Sequence, residues 1–254
     1  MLSLRRVAPS AVLILVAGAT LSLAPSASAS DYRALDPDAL VALSLDATLS
    51  PPWFPPVKDP DRKAFTPDER IAVCTTDANT EVRAQSGPIP TSGAYGYLNY
   101  GALPGGGFMN VIQRIHQFPT AQEARAAMRA MRSAAANCLA SGTSAYPEKQ
   151  PDGSFASVGR ITTSAVVRDG DIQFGHRSLI VDSTSRWTRN GASTPDRTGS
   201  GLTIFRLDGP VITSVTATKV VDANVRTALS LQERTTVNAL SQLVTERYHA
   251  LATN

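Results

Sequence analysis

The chain has 254 residues, with 24 Lys and Arg against 21 Asp and Glu for a net charge of +3, and 43% of it is hydrophobic. That length can bury one good-sized core or two small ones, and the near-balanced charge gives no argument for nucleic acid. Its two cysteines, Cys74 and Cys138, are too far apart for a CxxC redox pair.

The N-terminus reads as a secretory signal peptide, residues 1–29. Arg5 and Arg6 form a short positive segment, an apolar run spans Ala11 to Leu23, and Ala27-Ser28-Ala29 is a small-residue cleavage site. The apolar run is short for a membrane span, and no later stretch is apolar enough to be one. Cleavage after Ala29 leaves 225 residues and a net charge of about +1. The expected location is extracytoplasmic. The Arg5-Arg6 pair suits either a Sec or a twin-arginine signal. In an exported chain Cys74 and Cys138 are expected to form one disulfide, the alternative being two buried thiols.

Residues 30–70 read as a short helix and a strap. Asp36 can cap a helix with Pro37 at its first position. The stretch "LSPPWFPPVKDPDRKAFTP" is too rich in proline for regular helix or sheet, and Trp53, Phe54 and Phe65 make it an ordered strap packed by its aromatics. Residues 71–254 read as one domain. Ile71 to Thr75 is short and apolar, and "EVRAQS" is a short strand. "GAYGYLNYGALPGGGF" carries Tyr95, Tyr97 and Tyr100 ahead of Gly105, Gly106 and Gly107. The glycines mark a turn or loop, without the spacing of a nucleotide motif. "FMNVIQRIHQF" is a strand with Met109, Val111 and Ile115 on one face.

Thr120 and Glu123 form a capping box that opens a helix. Ala124, Met128, Met131, Ala135 and Cys138 make one apolar stripe along it, so Cys138 points inward. Arg125, Arg129 and Arg132 lie beside that stripe as a solvated face. After Pro151 the period becomes two. Val158 to Arg168, Asp169-Gly170 and Ile172 to Val181 make a hairpin, "STSRWTRNGASTPDRTGSG" reads as a long polar loop, and Leu202 to Leu207, Asp208-Gly209 and Val211 to Val221 make a second hairpin. Ser230 and Glu233 cap a last helix, with Val237, Leu240, Val244, Tyr248 and Leu251 on one stripe. This order predicts an α+β fold: an antiparallel sheet of five to six strands, two main helices packed on one face, and one disulfide.

The order and texture of these segments resemble the extracellular sensor domain of PknH-type actinobacterial Ser/Thr kinases, which also occurs free-standing in secreted proteins. The likeness is carried by "FPTAQEARAAMRAMRSAAANC", by "RDGDIQF" and "RLDGPVITSV", and by the closing helix after "ALSLQE". It spans about Asp36 to Leu251 and includes no catalytic signature. The resemblance implies helices on an antiparallel sheet and a cleft for a ligand of unknown identity. The sensor domain of those kinases carries two disulfides, where this chain can form one.

No metal or cofactor spacing appears, and no G-x-S-x-G elbow. Of the three histidines, His116 reads as half of a surface pair with Arg114, His249 suits the C-terminal end of its helix, and His176 lies mid-strand with Trp187 at the end of the hairpin. Asp169 and Asp171 are explained by turn chemistry. The expectation is therefore a non-catalytic exported domain that binds a small molecule or an envelope component. The alternatives are a secreted hydrolase or a structural envelope protein. The candidate site comprises Tyr95, Tyr97, Tyr100, Gly105, Gly106, Gly107, His176 and Trp187.

Overall fold

The computed structural model of the chain describes residues 32–44, 61–75, 81–103, 107–139, 142–169, 177–225 and 228–253. The signal-peptide reading, Trp53, Phe54, Gly105, Gly106, Gly170 and His176 lie outside the described residues. Helix α1 is Pro37–Ala42, with the Asp36 carboxylate accepting from the Ala39 N–H at 2.8 Å. Strands β1 (Asp61–Phe65), β2 (Ala72–Thr75), β3 (Glu81–Arg83), β4 (Ser92–Ala102) and β5 (Phe108–Gln117) follow. Helix α2 is Ala121–Ala135, extended by a tighter turn over Ala136–Leu139. Then come β6 (Gly142–Lys149), β7 (Phe155–Asp169), β8 (Arg177–Arg189), β9 (Arg197–Asp208), β10 (Val211–Asp222) and helix α3 (Leu231–Ala252).

Eight strands form one antiparallel sheet in the order β1-β4-β5-β10-β9-β8-β7-β6, and β2 and β3 pair separately. The last strand sits mid-sheet, opposite β5 on one side and β9 on the other. Alternation then assigns each strand two faces. On one face Leu98, Val111, Ile115, Leu202, Ile204, Val211, Val215 and Ala217 form a core with Val237, Leu240, Val244 and Tyr248 of α3. On the other, Leu179, Val181, Phe205, Leu207 and Ile212 pack with Phe118, Met128, Met131 and Cys138 of the α2 segment.

This corrects the expected fold class. The protein is mostly β, with an eight-stranded main sheet where five to six strands were expected, and its two long helices cover opposite faces. The physical reason lies in β9 and β10. Both of their faces are buried near the Asp208-Gly209 turn, so each face needs a helix. Two further strands come from segments read otherwise. Asp61–Phe65, between the strap prolines, pairs with β4 as an edge strand, where proline is tolerated just outside the ladder. Gly142, expected as a helix stop, opens β6 at the opposite edge.

Both helix caps form, but only the second as a full capping box. The Thr120 hydroxyl accepts from the Glu123 N–H at 3.1 Å, and Ser230 and Glu233 satisfy each other's backbone N–H groups. Met128 is fully buried and Leu240 is buried, whereas Leu251 is exposed and Ala252 closes the α3 stripe. Arg125 and Arg129 are exposed, and Arg132 donates to the Ser178 carbonyl. The Cys74–Cys138 disulfide, with Cα atoms 6.0 Å apart, ties β2 to the end of α2. No described helix is long and apolar enough to cross a membrane.

Candidate functional site

Helix α2 has 15 residues and reaches roughly 22 Å, too short to cover its face of the sheet. Helix α3, with 22 residues, reaches roughly 33 Å across the opposite face. The uncovered part of the α2 face is a cleft of about 740 Å³. The segment Thr66–Arg70 and the β2–β3 hairpin form its rim. Its floor carries hydroxyls, Thr216 and Thr218 of β10, Thr203 of β9, Ser183 and Ser185 of β8, and Thr163 of β7, set among Ile161, Val181 and Phe205. These hydroxyls bond across strands, Thr203 to Thr216 at 3.0 Å and Thr163 to Ser185 at 3.1 Å. Each keeps capacity for a further bond, because a hydroxyl donates once and accepts twice.

The two ends of the cleft differ. At one end Trp187 lies across β9, over Gly199. A Cβ on Gly199 would stand 2.8 Å from the indole, so glycine there lets the ring lie low on the sheet. At the other end are Lys63, Tyr95, Arg114 and His116. Lys63, Tyr95, Arg114 and Ser214 stand in one row across β1, β4, β5 and β10. The Tyr95 ring has Lys63 Nζ 5.4 Å from its centroid and the Arg114 guanidinium at 5.8 Å. Burial raises the Tyr95 pKa, and Arg114 opposes that rise.

His116 is not the surface residue the sequence suggested. It is 6% exposed, because Phe65 lies over Gly93 and meets the imidazole edge-on with centroids 5.5 Å apart. A Cβ on Gly93 would come within 2.5 Å of the Phe65 ring. Burial, helped by Arg114 and Arg83, lowers the His116 pKa to about 3. The ring is therefore neutral at pH 7, with one N–H and one lone pair. Neither nitrogen has a hydrogen-bond partner. No hydroxyl or carboxylate among the described residues is thus placed to work with His116 as a nucleophile–base pair.

The sequence-predicted candidates divide. Tyr95 and Trp187 line the cleft. Tyr97 stacks beside Tyr95 at 6.5 Å. Tyr100 turns to the other face and is buried in the α3 core. Gly107 adopts φ +95° against Val220, outside the cleft lining. The reading missed the floor. Ser183 to Arg189 and Arg197 to Ser200 lie in β8 and β9 and not in a polar loop. The available signal was alternation: Ser183, Ser185 and Trp187 share one face at period two.

No protein-family model matches the chain, and no curated protein matches its sequence. Among solved structures it is similar to the crystal structure of the extracellular domain of PknH from Mycobacterium tuberculosis, at 15% identity and a TM-score of 0.48, covering 86% of this chain and 99% of that one.

Proposed function

We propose that this chain is an exported, non-catalytic binding domain of the sensor type, and that the cleft on the α2 face receives its ligand, a small molecule or a soluble piece of the cell envelope. The observation that carries the reading is the hydroxyl-bearing floor. Two of the strands that build it, β9 and β10, are apolar on their other face under α3, so the hydroxyls on their cleft side are not what packs them into the fold. Trp187 adds a flat apolar platform beside those hydroxyls, a pairing suited to a ligand that is itself part apolar and part hydroxylated. The leader-like residues 1–29 and the disulfide support export. The sensor element of the proposal comes from the sequence resemblance.

The test is chemical-shift mapping on the mature chain, residues 30–254, with a panel of soluble glycan and headgroup fragments. The expected result is a set of perturbations centred on Ser183, Thr203, Thr216 and Trp187, with each fragment recovered unchanged. Perturbations confined to the α3 side or to the β6 edge overturn the site. Conversion of a fragment overturns the non-catalytic reading in favour of a hydrolase.

A further inference from the structure

The corner of the cleft built by β1, β4 and β5 holds two cations that make no ion pair among the described residues. Arg83 on the rim is paired with Glu69 at 2.7 Å and with Glu81. Lys63 and Arg114 make no ion pair among the described residues and have only the Tyr95 ring between them. Asp61, exposed at the outer end of β1, acts on Tyr95 through space but pairs with neither cation. Asp68 on the rim is exposed as well. Two residues along β5 from Arg114, on the same side of the strand, stands His116. Its ring is closed off from solvent and both its nitrogens lack partners.

Each feature alone has a plain structural meaning. Exposed lysines are common, and a tyrosine between two cations is a tolerable contact. The combination is different. A half-buried guanidinium without a carboxylate and a buried imidazole without a partner are both costly in an unliganded fold. They are costly in the same place, and one kind of group relieves both. An anionic oxygen accepts from the guanidinium fork, from the ammonium and from the imidazole N–H.

We propose that this corner is an anion subsite, in which Arg114 and Lys63 hold a carboxylate or phosphate group of the cleft's ligand and His116 reaches it when the Phe65 ring that covers it swings aside. The inference rests on the reading of the cleft as a binding site. It makes the ligand an acidic, hydroxyl-bearing molecule, with its charge at the β4–β5 end and its body lying over the threonine and serine floor towards Trp187. Tyr95 stands in register with Leu179, so Trp187 lies four strands across and eight residues along from it, about 33 Å at ordinary strand dimensions, and a single small sugar does not reach both. An acidic oligosaccharide does. Neutral His116 suits the role: it can donate one hydrogen bond without demanding a counter-ion of its own.

The experiment uses the mature chain with its disulfide intact, and follows the His116 ring by NMR. Inorganic phosphate, glucuronate and glucose are titrated separately at pH 7 and constant ionic strength. Phosphate or glucuronate should move the His116 resonances with millimolar affinity, and raise its titration midpoint above about 3. Glucose should not. Whichever acid binds at least tenfold better identifies the source as phosphate or carboxylate. Comparable affinities support a subsite that accepts either. Arg114→Gln should weaken binding tenfold or more and Lys63→Gln severalfold. Arg125→Gln removes the same charge from the exposed face of α2 and should change it less than twofold. If Arg114→Gln fails to fold, Lys63→Gln carries the test, because Lys63 is exposed.

The proposal is overturned if neither acid moves His116, if both cleft variants keep full affinity, or if Arg125→Gln weakens binding as much as they do. It is also overturned if glucose moves His116 as strongly as glucuronate. In that last case, or where neutral fragments perturb Trp187 while no acid moves His116, the cleft survives as a binding site and only its anion corner is lost.

Discussion

The two faces of the sheet use the same strands for opposite ends. Where α3 packs, several buried polar groups of the strands meet polar groups of the helix. Thr213 meets Thr245 at 2.8 Å, and Arg206 donates to Ser241 at 3.1 Å and to Asn238 at 2.7 Å. Where α2 packs, coverage stops partway, and the cleft holds hydroxyls, two cations with no ion pair among the described residues and an imidazole with nothing to bond there, beside Ile161, Val181 and Phe205. On the first face the helix supplies polar partners to the strands, while on the second the cleft leaves the strand hydroxyls open. The contrast can be read within β10, where Val215 is buried under α3 and its neighbour Thr216 looks into the cleft.

That pair gives the largest test. Val215→Asp should cost about 5 kcal/mol or more, since an unpaired carboxylate would sit under α3, and the protein should show no cooperative melt. Thr216→Asp should cost about 1 kcal/mol and leave the fold intact. Equal losses from the two would erase the distinction between the faces. Next comes the disulfide, which closes a loop with a sequence separation of 64. Cys74→Ser with Cys138→Ser should lower stability by about 4 kcal/mol in denaturant titrations. Its effect should concentrate on the cleft side, because the bond ties the rim to the end of α2. Hydrogen exchange that rises as much under α3 as around β2 would contradict this.

A smaller effect comes from pH. The folded-state pKa of His116 lies below its unfolded value, so the unfolded chain takes the proton first as pH falls. The stability due to neutral His116 is present in full above about pH 6.5 and drains as pH drops towards 3. By pH 5 the loss should be about 2 kcal/mol relative to neutral pH. His116→Phe should flatten the profile between pH 7 and 5. An unchanged slope in that variant means that another group is responsible. The smallest expected effect is Gly199→Ala, at about 1 kcal/mol. Its methyl would displace the Trp187 indole, so the fluorescence spectrum should shift far more than the melting temperature. A parental spectrum would show that the indole does not lie where its contact with β9 requires.

The helices were legible in the sequence because their signals are local. T-x-x-E and S-x-x-E mark two starts, and the stripe from Ala124 to Cys138 fixes which side faces inward. The disulfide was legible from its count and that stripe. The number of strands was not. β1 hides between prolines, and β6 and the far ends of β8 and β9 are polar on both faces. Hydrophobic periodicity cannot register a strand whose inward side is threonine and serine. The same property hid the cleft floor. His116 was misjudged because its cover, Phe65, comes from a strand about fifty residues earlier in the chain, a contact no local pattern contains.

The place of β10 has a consequence for the order in which the molecule can be built. The strands before α2 and those after it form two separate runs, β1-β4-β5 and β6-β7-β8-β9, with no shared ladder. Only β10, the last strand made, joins them, and α3 then seals one side of the seam. Every earlier length of chain therefore carries an open apolar face and two unjoined half-sheets. Synthesis from the N-terminus cannot stabilise this domain piece by piece. Its cooperative folding waits for the C-terminal end, and a chain stopped at Asp208 should show no two-state unfolding transition in a denaturant titration.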